Sequence, residues 1–316
     1  FDYPPVFTSL SPWWKEYGVL NDYFARLSLV LSQGRQENGW LILEPTTSLW
    51  LHYTNVSGGK PLWDIANDFQ ALLGALERGQ MEYDLGCEDI MADCGSVGRK
   101  CLRVGQARYH TVVLPAKTEN LESRTFQLMR DFASSGGRII ALGLPDFVDG
   151  EESAELQAFM QSDAVIKMQT PQEILSLYRQ ETDLLVQCPE NSHVYHYRCR
   201  YEDGQLLFLT NSSLTDETPV TVSMPGKYLY RLDAMTGRIY LQSKAEGGKL
   251  KVETKLFPAD SQLWFASDEK VLNAEAGKES PTDLKPLQTQ DETEVNPLRP
   301  NVLNLDFCSM TVGDKH

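Results

Sequence analysis

The chain has 316 residues and a formal charge of −15, from 44 Asp and Glu against 29 Lys and Arg, with an apolar share of 41%. That length accommodates two domains with a buried core, and the composition argues against general disorder. The acidity argues against a nucleic-acid surface or an anionic membrane as partner, and no apolar run approaches the roughly 20 residues of a membrane span.

Ser11-Pro12 signals a short turn of helix beside the adjacent Trp13 and Trp14. Leu20, Tyr23, Phe24, Leu27, Val30 and Leu31 then recur at the spacing of one helix face, predicting a helix over residues 21–33 that Gly34 ends. Its apolar stripe requires a partner, and almost no chain precedes it.

From about residue 39 strands and helices alternate. WLILEP (40–45) is a short continuous apolar run, as expected of a strand buried on both faces. Leu62, Ile65, Ala66, Phe69, Leu72, Leu73 and Leu76 mark a helix closed by Gly79, and MEYDLG (81–86) is a second strand. RYHTVVLP (108–115) is a third, Phe126, Leu128, Met129 and Phe132 mark the next helix, and RIIALG (138–143) is a fourth strand. Thr170-Pro171-Gln172-Glu173 is a capping box with proline at the first helical position. The alternation predicts an open, mainly parallel sheet with helices on both faces.

Near residue 183 the apolar period changes to two. DLLVQC, HVYHYRCRY, QLLFLTN, VTVSM, KYLYRLD, GRIYLQ, KLKVETKL and SQLWFAS are successive strands, with tight turns at Asp203-Gly204 and Thr236-Gly237. The fold class is therefore α/β plus all-β, the parallel sheet being followed by a small antiparallel β-sandwich. Residues 268–300 have the composition of a linker, and NVLNLDF (301–307) alternates again, as if a further β-domain began there.

Chemistry-bearing motifs are sparse. No G-x-G-x-x-G follows the first strand and no P-loop is present. The turn after HTVVLP reads AKTENLESRT, without the serine or cysteine of a nucleophile elbow. His52, His110, His193, His196 and His316 form no H-E-x-x-H. The cysteines at 87, 94, 101, 188, 199 and 308 lack zinc-ligand spacing, while disulfides Cys94–Cys101 and Cys188–Cys199 are feasible if each pair spans a hairpin. Glu88-Asp89, Glu151-Glu152 and Asp22 are the visible acids, each reading as solvated surface charge. No catalytic residue, metal or cofactor is expected.

The strings in this order resemble a known family. SPWWKEYGVLNDYFARLSLVLSQGRQENGWLILEP is similar to the end of the catalytic barrel in glycoside hydrolase family 106, the α-L-rhamnosidases, where a last barrel helix runs directly into an α/β domain. YHTVVLPAKTENLESRTFQLMRDFASSGGRIIALG resembles the amidotransferase-like, flavodoxin-type domain also found in family 42 β-galactosidases. VYHYRCRYEDGQLLFLTNSS and the terminal NVLNLDFCSMTVGD resemble later domains, the last of them the entry into a galactose-binding-like sandwich. The resemblance implies a barrel remnant over residues 1–38, an α/β accessory domain over 39–182, a β-sandwich over 183–267, a linker over 268–300 and a following β-domain from 301 to 316.

It further implies that the catalytic acids lie upstream, in a barrel that needs roughly 200 residues. The parent would act on an oligosaccharide or polysaccharide, in a bacterial periplasm or outside the cell, with homo-oligomerisation open. Trp13 and Trp14 are the candidate substrate-binding residues, or else anchors between barrel and α/β domain. Two other readings stand beside this one. The first is a self-sufficient carbohydrate-binding module using Tyr195, Tyr197, Tyr228, Tyr230 and Trp264; the second is an amidotransferase-like enzyme. Leu20, Phe24 and Leu27 are expected to pack on the α/β domain or a neighbouring molecule, or to stay partly exposed.

Overall fold

The computed structural model describes residues 9, 11–55, 59–245, 248–270 and 274–276. The expected linker and terminal β-segment therefore lie almost wholly outside the described residues, as do Cys308 and His316. A 3-10 turn (Trp14–Glu16) leads into α1 (Tyr17–Gln33). The α/β unit follows, with β1 (Trp40–Leu43), α2 (Thr46–Leu51), α3 (Lys60–Arg78), β2 (Asp84–Gly86) and α4 (Glu88–Cys94). A three-stranded meander comes next: β3 (Gly95–Gly98), β4 (Cys101–Val104) and β5 (Ala107–Tyr109). Then come β6 (Thr111–Leu114), β7 (Asn120–Leu121), α5 (Ser123–Ser134), β8 (Arg138–Ala141), the short pair β9 (Phe147–Val148) and β10 (Glu151–Glu152), α6 (Ala154–Gln161), β11 (Val165–Lys167) and α7 (Pro171–Glu181).

Five strands form one parallel sheet in the order β2-β1-β6-β8-β11, so the chain starts in the middle and reverses direction once. Alternation along each strand feeds two cores. Leu41, Leu43, Val112, Leu114 and Ile139 pack with Phe126, Met129 and Phe132 of α5 and Leu156 and Met160 of α6. Trp40, Ile42, Val113 and Ile140 face the other way, onto Leu72 and Leu76 of α3 and Ile174 and Tyr178 of α7. This two-sided burial explains the continuous apolar runs. The capping box of α7 forms as its sequence specifies. At the other end of α5, Gly136 adopts φ 86°, and the amides of Gly136 and Gly137 donate to Ala133 and Phe132, which returns the chain into β8.

The second unit holds β12 (Leu185–Gln187), β13 (Val194–Arg200), β14 (Gly204–Asn211), β15 (Thr218–Pro225), β16 (Tyr228–Leu232), β17 (Ile239–Lys244), β18 (Lys249–Leu256), β19 (Ser261–Ser267) and β20 (Glu275–Ala276). They form a three-stranded sheet, β12-β15-β18, and a six-stranded sheet, β13-β14-β19-β16-β17-β20. The two sheets share one core, with Leu207, Leu209 and Trp264 on one side and Val220, Val222, Leu250 and Leu256 on the other.

The outer face of the six-stranded sheet is the partner of α1. Leu27, Val30 and Leu31 pack on Cys199, Leu206 and Leu263, the Tyr201 hydroxyl donates to Val30 O, and Tyr23 Oη lies 3.1 Å from Ser261 Oγ. Arg26 adds bonds to the carbonyls of Ala234 and Met235. Of the alternatives expected for Leu27, packing on the α/β domain is corrected, while partial exposure holds: the odd residues of β13, with their neighbours on β14 and β19, present an apolar outer face that a two-sheet unit by itself would leave in water. The stripe nevertheless outruns the sheet, and Leu20 and Phe24, two turns and one turn earlier, stay exposed at 44% and 52%. No helix among the described residues is long and apolar enough to cross a membrane.

Candidate functional site

In open α/β sheets ligands bind beyond the carboxyl ends of the strands, where the strand order reverses. Here that point lies between β1 and β6, which are followed by α2, carrying Thr47 and Ser48, and by the segment 115–120 that leads into β7. Ser48 is 0% exposed, and its Oγ accepts from the amides of Glu119 (2.9 Å) and Asn120 (3.1 Å), tying the two segments together. Thr47 donates to Glu88 Oε1 at 2.7 Å, and Glu88 Oε2 accepts from the Glu122 amide at 2.8 Å. Next to this, an added Cβ on Gly143 would stand 2.0 Å from the Ala116 carbonyl oxygen. The crevice is filled by its own polar groups.

Glu88 is therefore a buried acceptor and not the solvated charge the sequence suggests. Its neighbour Glu122 has its carboxyl raised by burial and by the charges of Glu88, Asp89 and Asp149. His52 holds Glu119 at 2.7 Å through Nε2. Cys87, the N-cap of α4 on this same edge, has ordinary extended backbone (φ −84°, ψ 126°). Among the described residues no hydrogen bond joins it to a histidine. The five described cysteines are free thiols. Across the β3–β4 hairpin Cys101 faces Gly98, while Cys94 lies beyond the opposite end of the ladder, so the feasible Cys94–Cys101 bridge does not form.

Trp13 and Trp14 are exposed at 56% and 44%, ahead of the overhanging half of α1, and Trp14 stacks on Tyr17 with ring centroids 5.9 Å apart. Of the aromatic residues of the binding-module reading, Tyr195 is exposed at 43%. Tyr230 and Trp264 are buried, Trp264 in the core between the sheets; Tyr228 stacks on Tyr230 at 6.4 Å.

The most developed polar assembly is one the sequence reading missed, at the seam between the two units. Along β13, His196, Arg198 and Arg200 share the face of Val194, and beyond the smaller sheet that face meets the α/β unit. Arg198, 8% exposed, donates Nε to Glu82 Oε1 (2.8 Å), Nη2 to Glu82 Oε2 (2.5 Å) and Nη1 to Asp183 Oδ1 (2.5 Å). Arg200 reaches Asp183 at 3.0 Å and Glu37 at 3.3 Å. Gln80, at φ 57°, donates to the Val194 carbonyl at 2.7 Å, and its Oε1 lies 2.9 Å from His196 Nδ1.

Burial alone would raise the Glu82 carboxyl. His196, whose Nε2 lies 3.7 Å from Glu82 Oε1, and the hydrogen bonds and charge of Arg198 outweigh it, so Glu82 lies below its ordinary value; Asp183 is lowered by Arg198 and Arg200 against the same opposing burial. The signal was legible in HVYHYRCRY, where two arginines and a histidine repeat at period two on a face that begins with a core valine.

No family model and no curated protein matches the chain. Among solved structures it is similar to a rhamnosidase from Novosphingobium sp. PP1Y, with TM-score 0.61 and 17% identity over 88% of this chain and 27% of that one. It is also similar to a β-galactosidase from Bacillus circulans sp. alkalophilus, with TM-score 0.52 and 9% identity over 82% of this chain and 46% of that one. A GH42 β-galactosidase of G. stearothermophilus, in its E323A catalytic mutant, gives 0.51 and 8% over 82% and 44%. The chain thus spans about a quarter of the rhamnosidase and under half of each galactosidase. At such identities the likeness is one of fold, and that fold is glycoside hydrolase-like.

Proposed function

We propose that this chain is a non-catalytic part of a larger carbohydrate-degrading enzyme of the α-L-rhamnosidase type, glycoside hydrolase family 106. In this reading the α/β unit and a β-sandwich formed by the two antiparallel sheets buttress a catalytic barrel supplied by sequence upstream of Phe1. The observation that carries the reading is α1. Its apolar stripe is half-covered by the six-stranded sheet and half-bare at Leu20 and Phe24, with Trp13 and Trp14 just ahead. A stripe that outruns its partner leaves a seat of the right kind for a second body. The filled crevice at the strand reversal supports the absence of chemistry within this chain.

The test is an assay on aryl α-L-rhamnosides and aryl β-galactosides. The chain alone should show no turnover, whereas one polypeptide joining it to its upstream reading frame should hydrolyse one of them. Turnover by the chain alone overturns the reading.

A further inference from the structure

The three-stranded sheet ends at β12, which pairs with β15 through Leu185, Val186 and Gln187 and, among the described residues, has no strand on its other side. Alternate residues of such an edge turn amide and carbonyl outward. Among the described residues no backbone group outside the β15 ladder bonds Leu185, Val186 or Gln187. A groove of about 270 Å³ runs along this edge, between β12 and the carboxyl ends of α3 and α7, which contribute Arg78 and Arg179. That volume lies below the roughly 300–1,000 Å³ of a small-molecule pocket, and a groove drawn along a strand edge suits an extended chain.

The groove has a positive surplus. Among the described residues no carboxylate lines it, and neither the Arg78 nor the Arg179 guanidinium has one within 4.0 Å. Both arginines lie in the last turn of their helices, where each helix end carries about half a negative charge. Two full charges against two halves leave the groove positive by about one, in a chain whose net charge is −15. The apolar side of the strand is already used, since Leu184, Val186 and Cys188 pack in the core between the sheets. What the edge still offers is its backbone.

These features discriminate between occupants. A second copy of the chain, pairing edge to edge at β12, would bring four guanidiniums together around one ladder. A neutral strand would satisfy the backbone and leave both arginines unpaired. We infer that the β12 edge takes an extended acidic segment of a partner polypeptide as an added strand. Backbone pairing with β12 provides the attachment, and Arg78 and Arg179 meet the segment's carboxylates. None of this depends on the function proposed above.

The experiment titrates the full chain with a synthetic Glu-Val repeat heptapeptide. Binding heat is measured, and the backbone amides of Leu185, Val186 and Gln187 are followed by chemical shift and hydrogen exchange. Comparison peptides carry Ser or Lys in place of Glu, or keep the Glu-Val sequence with every amide N-methylated; inorganic phosphate is the non-peptide control. The Glu-Val peptide is expected to shift and protect at least one β12 amide. It should bind at least about tenfold more tightly than the Ser-Val and N-methylated peptides. Its affinity should fall about tenfold in the Arg78→Ala/Arg179→Ala variant and less in the double Lys variant, which keeps the charge without the fork. Both positions are exposed, and unchanged amide spectra elsewhere certify that the variants fold.

No change at β12, or equal binding of the Ser-Val, Lys-Val or N-methylated peptide, overturns the inference, as does an unaffected Ala variant. Phosphate binding as tightly as the peptide would make the groove a bare anion site and overturns strand addition. Shifts at β12 that follow dilution of the chain alone would assign the edge to a second copy and overturn the acidic partner. Protection of all three β12 amides before any peptide is added overturns the open edge.

Discussion

Arg198 of β13 grips both carboxylate oxygens of Glu82, at 2.8 and 2.5 Å, across the seam between the antiparallel unit and the parallel sheet. Nearly all of the pair is out of water, with side chains 8% and 11% exposed. Removing one member of such a pair strands the other. Glu82→Gln is expected to lower the unfolding free energy by about 3 kcal/mol in urea denaturation, because Asp183 retains part of the Arg198 charge. Replacing both with apolar residues, Glu82→Leu with Arg198→Met, should cost less than the single change. A double variant as weak as the sum of the singles would show that the pair is not coupled.

The same carboxylates set a pH dependence. Glu82 and Asp183 both lie below their ordinary values of 4.5 and 3.8 in the folded protein. A lowered folded value means that the unfolded chain binds protons first. The stabilisation is complete above about pH 4.5 and is lost as pH falls through the lowered folded values. Denaturation midpoints measured from about pH 7 down to about pH 3 should fall steeply at the acid end, and Glu82→Gln should flatten that fall.

On α1, position along one stripe decides the cost of truncation. Leu27→Ala, against the six-stranded sheet, should destabilise this chain by about 1–2 kcal/mol in thermal or urea unfolding. Leu20→Ala and Phe24→Ala should stay within about 0.5 kcal/mol, since little is uncovered. In the longer polypeptide joined to its upstream sequence the order should reverse, with Phe24→Ala becoming the costlier change. Equal small effects of Phe24→Ala in both contexts would count against the docking role of the overhang.

Glu88 distinguishes a buried acceptor from a surface acid. Glu88→Ala leaves the Thr47 hydroxyl and the Glu122 amide without their acceptor, and should cost about 2–3 kcal/mol by urea denaturation. Glu151→Ala, at an exposed site, should stay within about 0.5 kcal/mol. Parity between the two would mean that the segments at the strand reversal are not held by Glu88.

The legibility of the sequence follows the range of the interactions. WLILEP, the α3 and α5 stripes, the Thr170–Glu173 capping box and the eight antiparallel strands are visible because period, caps and turns are local and repeat within a few residues. MEYDLG is less so: only Asp84–Gly86 pairs, since Glu82 is taken up by Arg198 and Tyr178 instead of by a ladder. The buried state of Glu88 was hidden because its partners, Thr47 and Glu122, lie 41 and 34 positions away.

By itself the sequence determined four of the five parallel strands, the stripes of α1, α3 and α5, the start of α7 and the parallel-then-antiparallel order, since each is written in local pattern, while α2, α4, α6 and β11 carry no such signal. Only the tertiary structure decided which surface α1 covers, that the crevice at the strand reversal is closed, and that Glu82, Asp183, Arg198 and Arg200 meet in one seam. Those outcomes depend on contacts between different elements, separated by 34 to 72 positions at the strand reversal, 116 between Glu82 and Arg198 and 238 between Tyr23 and Ser261. Whether a charge ends up paired, buried or spare is a property of its neighbours in space, which no spacing along the chain encodes.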